Sequence, residues 1–147
     1  MVNPRVGHEA EYTFDPVDHP KNVVVVGSGP AGLYTGYVAS KKGHQVKVIE
    51  AQEKLGGQFR IAALPPAKSL LANPLRFWIQ EGKKQGVEYM TNTTATKELI
   101  ADLHPDAVVL ATGAKQSKPP IEGIDGEHVF MANDVIEGKV RVGHNVL

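Results

Sequence analysis

Residues 22–51 read NVVVVGSGPAGLYTGYVASKKGHQVKVIEA, and the rest of the chain takes its meaning from them. Val23 to Val26 form an unbroken β-branched run, which marks a strand buried on both faces, as the strands of parallel sheets are. In the segment that follows, Leu33, Tyr37 and Val38 recur at helical spacing with small residues between them, and Gly43 supplies a stop. HQVKVIEA (44–51) then reads as a second strand ending in Glu50. Strand, glycine turn, helix and strand within about thirty residues make a right-handed βαβ unit.

The spacing of Gly27, Gly29 and Gly32 has a chemical reason. A strand that feeds a helix through a tight turn brings the first helical N–H groups to the edge of the sheet. Those groups lack partners within the helix, and the peptide dipoles add partial positive charge there. A pyrophosphate fits such a place without a lysine. Gly27 permits the turn, Gly29 leaves room for a phosphate, and Gly32 lets the helix close on the strand. Glu50 follows the glycines by about twenty residues, the position from which a carboxylate accepts hydrogen bonds from adenosine ribose hydroxyls. Its charge repels a phosphate on that ribose, so NADP is disfavoured.

Beyond this unit, residues 52–69 read as a loop rich in glycine and proline, in which EKLGGQ (53–58) supplies Gly56 and Gly57, a backbone bend able to close over the ribose or the phosphates. PLRFWIQEGKKQG (74–86) predicts a helix with Asn73 as its N-cap and Pro74 in its first turn. VEYMTN (87–92) predicts a third strand, ATKELIADLH (95–104) a short helix, and PDAVVLATGA (105–114) a fourth strand running into Thr112 and Gly113 near the switch point of the sheet. Singly, each glycine pair is also what a plain turn or strand end would show; their order behind the first motif gives them weight. Residues 1–21, with Pro4, Pro16 and Pro20, read as an extended arm or linker, and residues 118–147 as loop with short extended pieces.

The 147 residues suit one domain, 22–147, and 41% hydrophobic with 22% charged residues is an ordinary globular composition. Sixteen basic residues balance sixteen acidic ones, so no net field draws the chain to nucleic acid or an anionic membrane. With no cysteine, disulfides, thiolate metal sites and dithiol redox centres are excluded from it. No apolar run approaches the ~20 residues of a membrane span, and the opening residues lack a signal pattern. A cytoplasmic location follows as the expectation.

In order and spacing, VVVVGSGPAG (23–32), VIEAQEKLGGQFRIAALPP (48–66), PDAVVLATGA (105–114) and PPIEGIDGEHVFMANDV (119–135) resemble the flavin module of the group formed by 2,4-dienoyl-CoA reductase, 2-enoate reductase and trimethylamine dehydrogenase. GGQFRIAALPP (56–66) is the most specific of these stretches. The resemblance implies an α/β, Rossmann-like FAD/NAD(P)-binding fold, a parallel sheet with helices on both faces, here an incomplete domain. It implies FAD, or ADP alone, as the ligand. FMN, an iron–sulfur cluster and NAD(P)H belong to other domains or subunits, absent from this sequence.

MVNPRVGHE (1–9) looks like the segment that follows the last cluster cysteine in that group, and VRVGHNVL (140–147) like the strand that opens its nicotinamide domain. Carried over by position, Gly27, Ser28, Gly29, Pro30, Ala31 and Gly32 form the pyrophosphate loop, and Glu50, flanked by Ala51, holds the ribose. Gly57 and Gln58 lie by the phosphates, Ala95 offers backbone to adenine, and Ala111, Thr112 and Gly113 border the ligand beyond. Arg60 either adds positive charge near the phosphates or is a solvated loop arginine.

No residue pattern suggests a catalytic or metal role. His8, His19, His44, His104, His128 and His144 are scattered, none paired at metal-ligand spacing on one element. Lys41, Lys42, Lys83 and Lys84 stand at helix C-termini, where cations suit the dipole. Phe77 and Trp78 read as packing residues. Three readings stay open: an FAD module of a flavin-dependent NAD(P)H oxidoreductase, inactive by itself; a non-catalytic ADP-binding or docking module; and an NAD-binding domain. Apolar surface left uncovered would also favour self-association.

Overall fold

The computed structural model describes residues 5–146. Met1 to Pro4, the start of the predicted arm, and Leu147, the end of the predicted opening strand, lie outside the described residues.

Four parallel strands form one sheet in the order β3-β2-β1-β4, with β1 at Asn22–Val26, β2 at Gln45–Ile49, β3 at Glu88–Met90 and β4 at Ala107–Leu110. The chain runs outward from β1 through β2 to β3 and then crosses back to place β4 on the other side of β1. That reversal opens a crevice at the C-terminal ends of β1 and β4, where ligands of open α/β sheets bind. The ladder continues past the strands, since Gly27 N–H donates to the Ile49 carbonyl at 2.8 Å and Ala111 N–H to that of Val26 at 2.8 Å.

On one face Val23, Val25, Val46 and Val48 form the core with Val87, and the helix α1 (Pro30–Lys41) lies over them. Small Gly36 lets α1 settle closely, for a Cβ there would stand 3.2 Å from Val48 Cγ2. Beside α1, α3 (Ala72–Lys84) reaches the β3 edge of the sheet, where Gly82 abuts Val87 and Tyr89, and packs on α1 through Trp78 against Tyr34 and Phe77 against Tyr37, both with ring centroids 5.5 Å apart. Trp78 thus has the packing role expected of it, while Phe77 packs one edge on Tyr37 and stays 51% exposed.

Val24 and Ile49 are buried on the opposite face, but Val108 and Leu110, which share it by register with Val24 and Val26, are 43% and 75% exposed. On that side β4 is open, as suits an incomplete domain.

Three local expectations are corrected. GGQFRIAALPP is not all loop: α2 spans Gly57–Ala62, entered through Gly56 at φ +114°. Asn73 is not the N-cap of α3, because a 3-10 turn at Ser69–Leu71 leads straight into Ala72 and puts Asn73 and Pro74 inside the first turn, where proline loses no bond. The tail forms α5 at Ala132–Ile136, while residues 141–146 make no strand; a strand exists only against a partner ladder. The helix predicted within 95–104 is α4, Lys97–Asp102, with Thr96 Oγ1 accepting from Leu99 N–H at 3.2 Å.

The described part of the arm is pinned. Phe14 meets the edge of Tyr37 at 5.8 Å, Arg5 stacks its guanidinium over Phe14 at 4.2 Å, and Val17 N–H donates to the Lys42 carbonyl. Among the described residues no helix is long and apolar enough to cross a membrane.

Candidate functional site

The crevice at the switch point widens into a cleft of about 700 Å³. One wall is the glycine turn Gly27 to Pro30 with Glu50 and Gln52 from the end of β2 and Gly57 and Gln58 from the start of α2. The other is the segment after β4, Ala111 to Gln116, with Met131, Asn133, Asp134, Glu137 and Lys139 from α5 and its exit.

The backbone dictates the glycines of the first wall. Gly27 has φ +101°, and a side chain there would run into the Ala111 carbonyl. A Cβ on Gly32 would collide with the Gly27 carbonyl oxygen, so the first turn of α1 rests on the strand end with no room between them. At Gly29 a Cβ would meet nothing within 4 Å; space is open in front of this residue, and the first N–H groups of α1 have no intrahelical acceptor. Gly57 approaches so closely that a Cβ on it would be 3.1 Å from Gly29 Cα. The two glycine motifs therefore form a single cradle.

Glu50 faces this cradle. Its Oε2 accepts from Ser28 N–H at 3.0 Å and from Ser28 Oγ at 2.6 Å, and its Oε1 accepts from Gln52 N–H at 2.9 Å. Ser28 is 1% exposed, so its side chain turns inward and only its backbone borders the cleft. Gly56 N–H donates to the Ser28 carbonyl at 2.9 Å and reaches Ser28 Oγ at 3.3 Å, which fastens the α2 entrance to the loop.

Of the residues singled out from sequence, Gly27, Ser28, Gly29, Pro30, Glu50, Gly57, Gln58, Ala111, Thr112 and Gly113 are brought together around the cleft. Ala31, Gly32, Ala51, Arg60 and Ala95 are not among its lining. Gly32 acts from behind, by packing. Ala95 lies on the segment leaving β3, which passes Glu50 where Thr93 N–H donates to the Glu50 carbonyl at 2.9 Å. Arg60 is not a solvated loop arginine: Nη2 pairs with Glu137 Oε1 at 2.6 Å, both side chains being largely covered.

Sequence reasoning missed the second wall beyond Gly113. Glu137 is shared between Arg60 and Lys139, the latter at 2.8 Å, and Lys139 also approaches Asp134 at 3.4 Å. Hydrogen bonds from Lys139 and then Arg60 hold the Glu137 carboxyl below the usual carboxylate range, and Glu137 in turn raises Lys139. Gln58 Nε2 donates across the cleft to the Ala114 carbonyl. The signal for this wall was faint, since a five-residue helix shows no periodicity; only the Asp134, Glu137, Lys139 spacing hinted at it. Among the described residues no three His, Asp or Glu side chains gather where they would hold a metal.

A family model described as pyridine nucleotide-disulphide oxidoreductase matches residues 21–142. Bilirubin reductase of Mediterraneibacter gnavus is 43% identical over 92% of this chain and 21% of its own length. Cinnamate reductase of Clostridium sporogenes is 36% identical over 99% of this chain and 22% of its own. The solved structure of a 2-naphthoyl-CoA reductase in complex with 2-naphthoyl-CoA superposes with a TM-score of 0.89 at 38% identity, covering 96% of this chain and 22% of that one. The chain thus spans about a fifth of the length of the relatives it matches. By motif, fold and kinship, the chain belongs to the pyridine nucleotide-disulphide oxidoreductase family, as an FAD/NAD-binding domain similar to one part of the bilirubin, cinnamate and 2-naphthoyl-CoA reductases.

Proposed function

We propose that the chain binds FAD through its ADP half in the cleft between β1 and β4, as one cytoplasmic module of a flavin-dependent NAD(P)H oxidoreductase. The observation that carries this reading is the placement of Glu50 against the glycine loop, 3.0 Å from Ser28 N–H, at the mouth of a cleft with open space in front of Gly29. The Gly29 backbone, which lines the cleft, meets the pyrophosphate, Ala31 and Gly32 complete the loop behind it, and the α1 dipole lends support. Glu50 takes the ribose, Gly57 and Gln58 close on the phosphates, and Ala111 to Gly113 border the ligand beyond. Ala51 and Ala95 supply backbone on the adenosine side, and Arg60 acts only indirectly, by holding Glu137.

When bound, FAD supplies the capacity to accept hydride from a nicotinamide and to pass electrons onward. The chain's own residues bind and orient, and among the described residues none is assigned the movement of a proton or a hydride, which this reading leaves to other domains. FMN, an iron–sulfur centre and the nicotinamide are held by partner domains or subunits. The exposed Val108 and Leu110 are a surface for such a partner, or for self-association when it is missing. The same surface favours a second reading, in which the chain holds ADP and serves as a docking domain.

Calorimetric titration with ADP, FAD and NAD separately distinguishes these readings. The expected result is FAD binding about tenfold or more tighter than NAD, a margin of about 1.4 kcal/mol, and Glu50→Gln weakening ADP by about tenfold, since a charge-assisted hydrogen bond is lost. Equal affinities for ADP and FAD support the docking reading. Binding of none of the three contradicts the proposal.

A further inference from the structure

We infer that Ser28 is a positioning residue for Glu50, and that it restricts this carboxylate to a single ribose hydroxyl. The inference rests on the dinucleotide reading above and concerns how the sugar is recognised. An ionised carboxylate has about four acceptor positions, two on each oxygen. Both positions on Glu50 Oε2 are filled by one residue, with Ser28 N–H at 3.0 Å and Ser28 Oγ at 2.6 Å. One position on Oε1 is filled by Gln52 N–H at 2.9 Å. A single acceptor position remains, on Oε1.

The Ser28 hydroxyl is committed to this task. It has one proton, given to Glu50, and its oxygen is reached by Gly56 N–H at 3.3 Å. The order Gly56 N–H to Ser28 Oγ–H to Glu50 Oε2 joins the α2 entrance to the carboxylate. Ser28 is 1% exposed, so no ligand or solvent competes for the hydroxyl. An alanine would fit the space and leave the backbone bonds, but would free Oε2 and allow the carboxylate to turn. A ribose that presents both hydroxyls therefore meets one acceptor position, and only one of its hydroxyls is bound by Glu50.

The test titrates the wild-type chain, Ser28→Ala, Glu50→Gln and the double variant with ADP, 2′-deoxy-ADP and 3′-deoxy-ADP, with thermal melts alongside. In the wild type one deoxy analogue should bind about tenfold more weakly than ADP and the other within about twofold of it, the worth of one charge-assisted bond. Ser28→Ala should weaken ADP by about fivefold to tenfold and narrow the gap between the two deoxy analogues. Because Ser28 acts through Glu50, adding Ser28→Ala to Glu50→Gln should cost about twofold or less.

Equal penalties for the two deoxy analogues, or additive effects of the two substitutions, overturn this inference while leaving ADP binding intact. Loss of ADP binding by the wild type overturns the dinucleotide reading and this inference with it. If Ser28→Ala fails to fold, the comparison of deoxy analogues on the wild type decides alone.

Discussion

On one side of the cleft Gly27, Gly32 and Gly57 meet neighbouring backbone too closely for a side chain to stand between; on the other, side-chain bonds join Gln58 to Ala114 and Arg60 to Glu137. Each construction has its own sensitivity. The first wall is fixed by close packing, which tolerates almost no added volume, so its amides are positioned before any ligand arrives. The second depends on Arg60, Glu137 and Lys139 and on the Gln58 bridge, interactions that acid or a single substitution can release. A dinucleotide cleft made this way grips with one wall and adjusts with the other.

The largest effect on this contrast should come from Gly32→Ala. Its methyl would strike the Gly27 carbonyl, and urea unfolding should report a loss of about 3 kcal/mol or more, at the upper end of overpacking costs. A loss below about 1 kcal/mol would mean that the first wall yields, and the contrast would fail.

Acid should act next, through the Glu137 pairs of the second wall. Glu137 has a folded-state pKa below its ordinary 4.5, through hydrogen bonds from Lys139 and Arg60. Its contribution is therefore complete above the ordinary glutamate range and is lost as pH falls through the lower folded value. Lys139 is raised above 10.5 by Glu137; its share is complete below that value and disappears as pH rises through the folded one. The protection of residues 132–139 against hydrogen exchange, relative to the intrinsic rate at each pH, should fall as the pH drops below the ordinary glutamate range, and Glu137→Gln should show the open behaviour at neutral pH. Loops 27–33 should remain protected in both cases.

Gln58→Ala should have a smaller effect, raising the mobility of Ala111 to Gln116 in relaxation measurements while moving stability by about 1 kcal/mol or less, the net worth of a hydrogen bond. The smallest change is expected far from the cleft. Tyr89 Oη is buried without a partner, and burial pushes its pKa up to about 12. Tyr89→Phe should leave stability unchanged or raise it by about 1 kcal/mol. The wild type should lose stability between pH 10 and 12, where the unfolded tyrosine ionises and the folded one does not.

What could be read beforehand follows the same division. Val23 to Val26, the glycine triplet and Glu50 announce themselves because strand, turn and acid are local patterns, each with a distinct chemical requirement. The short helix within 95–104 and the strand from Val108 into Gly113 were legible for similar reasons. The α2 helix was hidden by its two leading glycines and by Pro65 and Pro66 beyond it, which mimic a loop, although Gly56 and Gly57 only set its entry. The second wall was hidden because Arg60 and Glu137 are 77 residues apart in sequence, and no local pattern encodes a pair at that distance. Ser28 was legible as a member of the loop but not as the partner of Glu50, since the inward turn of its side chain follows from the fold.

The account's central claim is that the amides at the tip of α1, together with Glu50, form the seat of a nucleoside diphosphate. Amide-resolved NMR of the isotope-labelled chain during titration with ADP tests it most directly. Saturable shifts should concentrate at residues 27–33, 50–52 and 56–58 and be weak or absent at residues 43–45, at the opposite end of the sheet. No shifts at saturating ADP, or shifts centred on another surface with residues 27–33 unmoved, would contradict it.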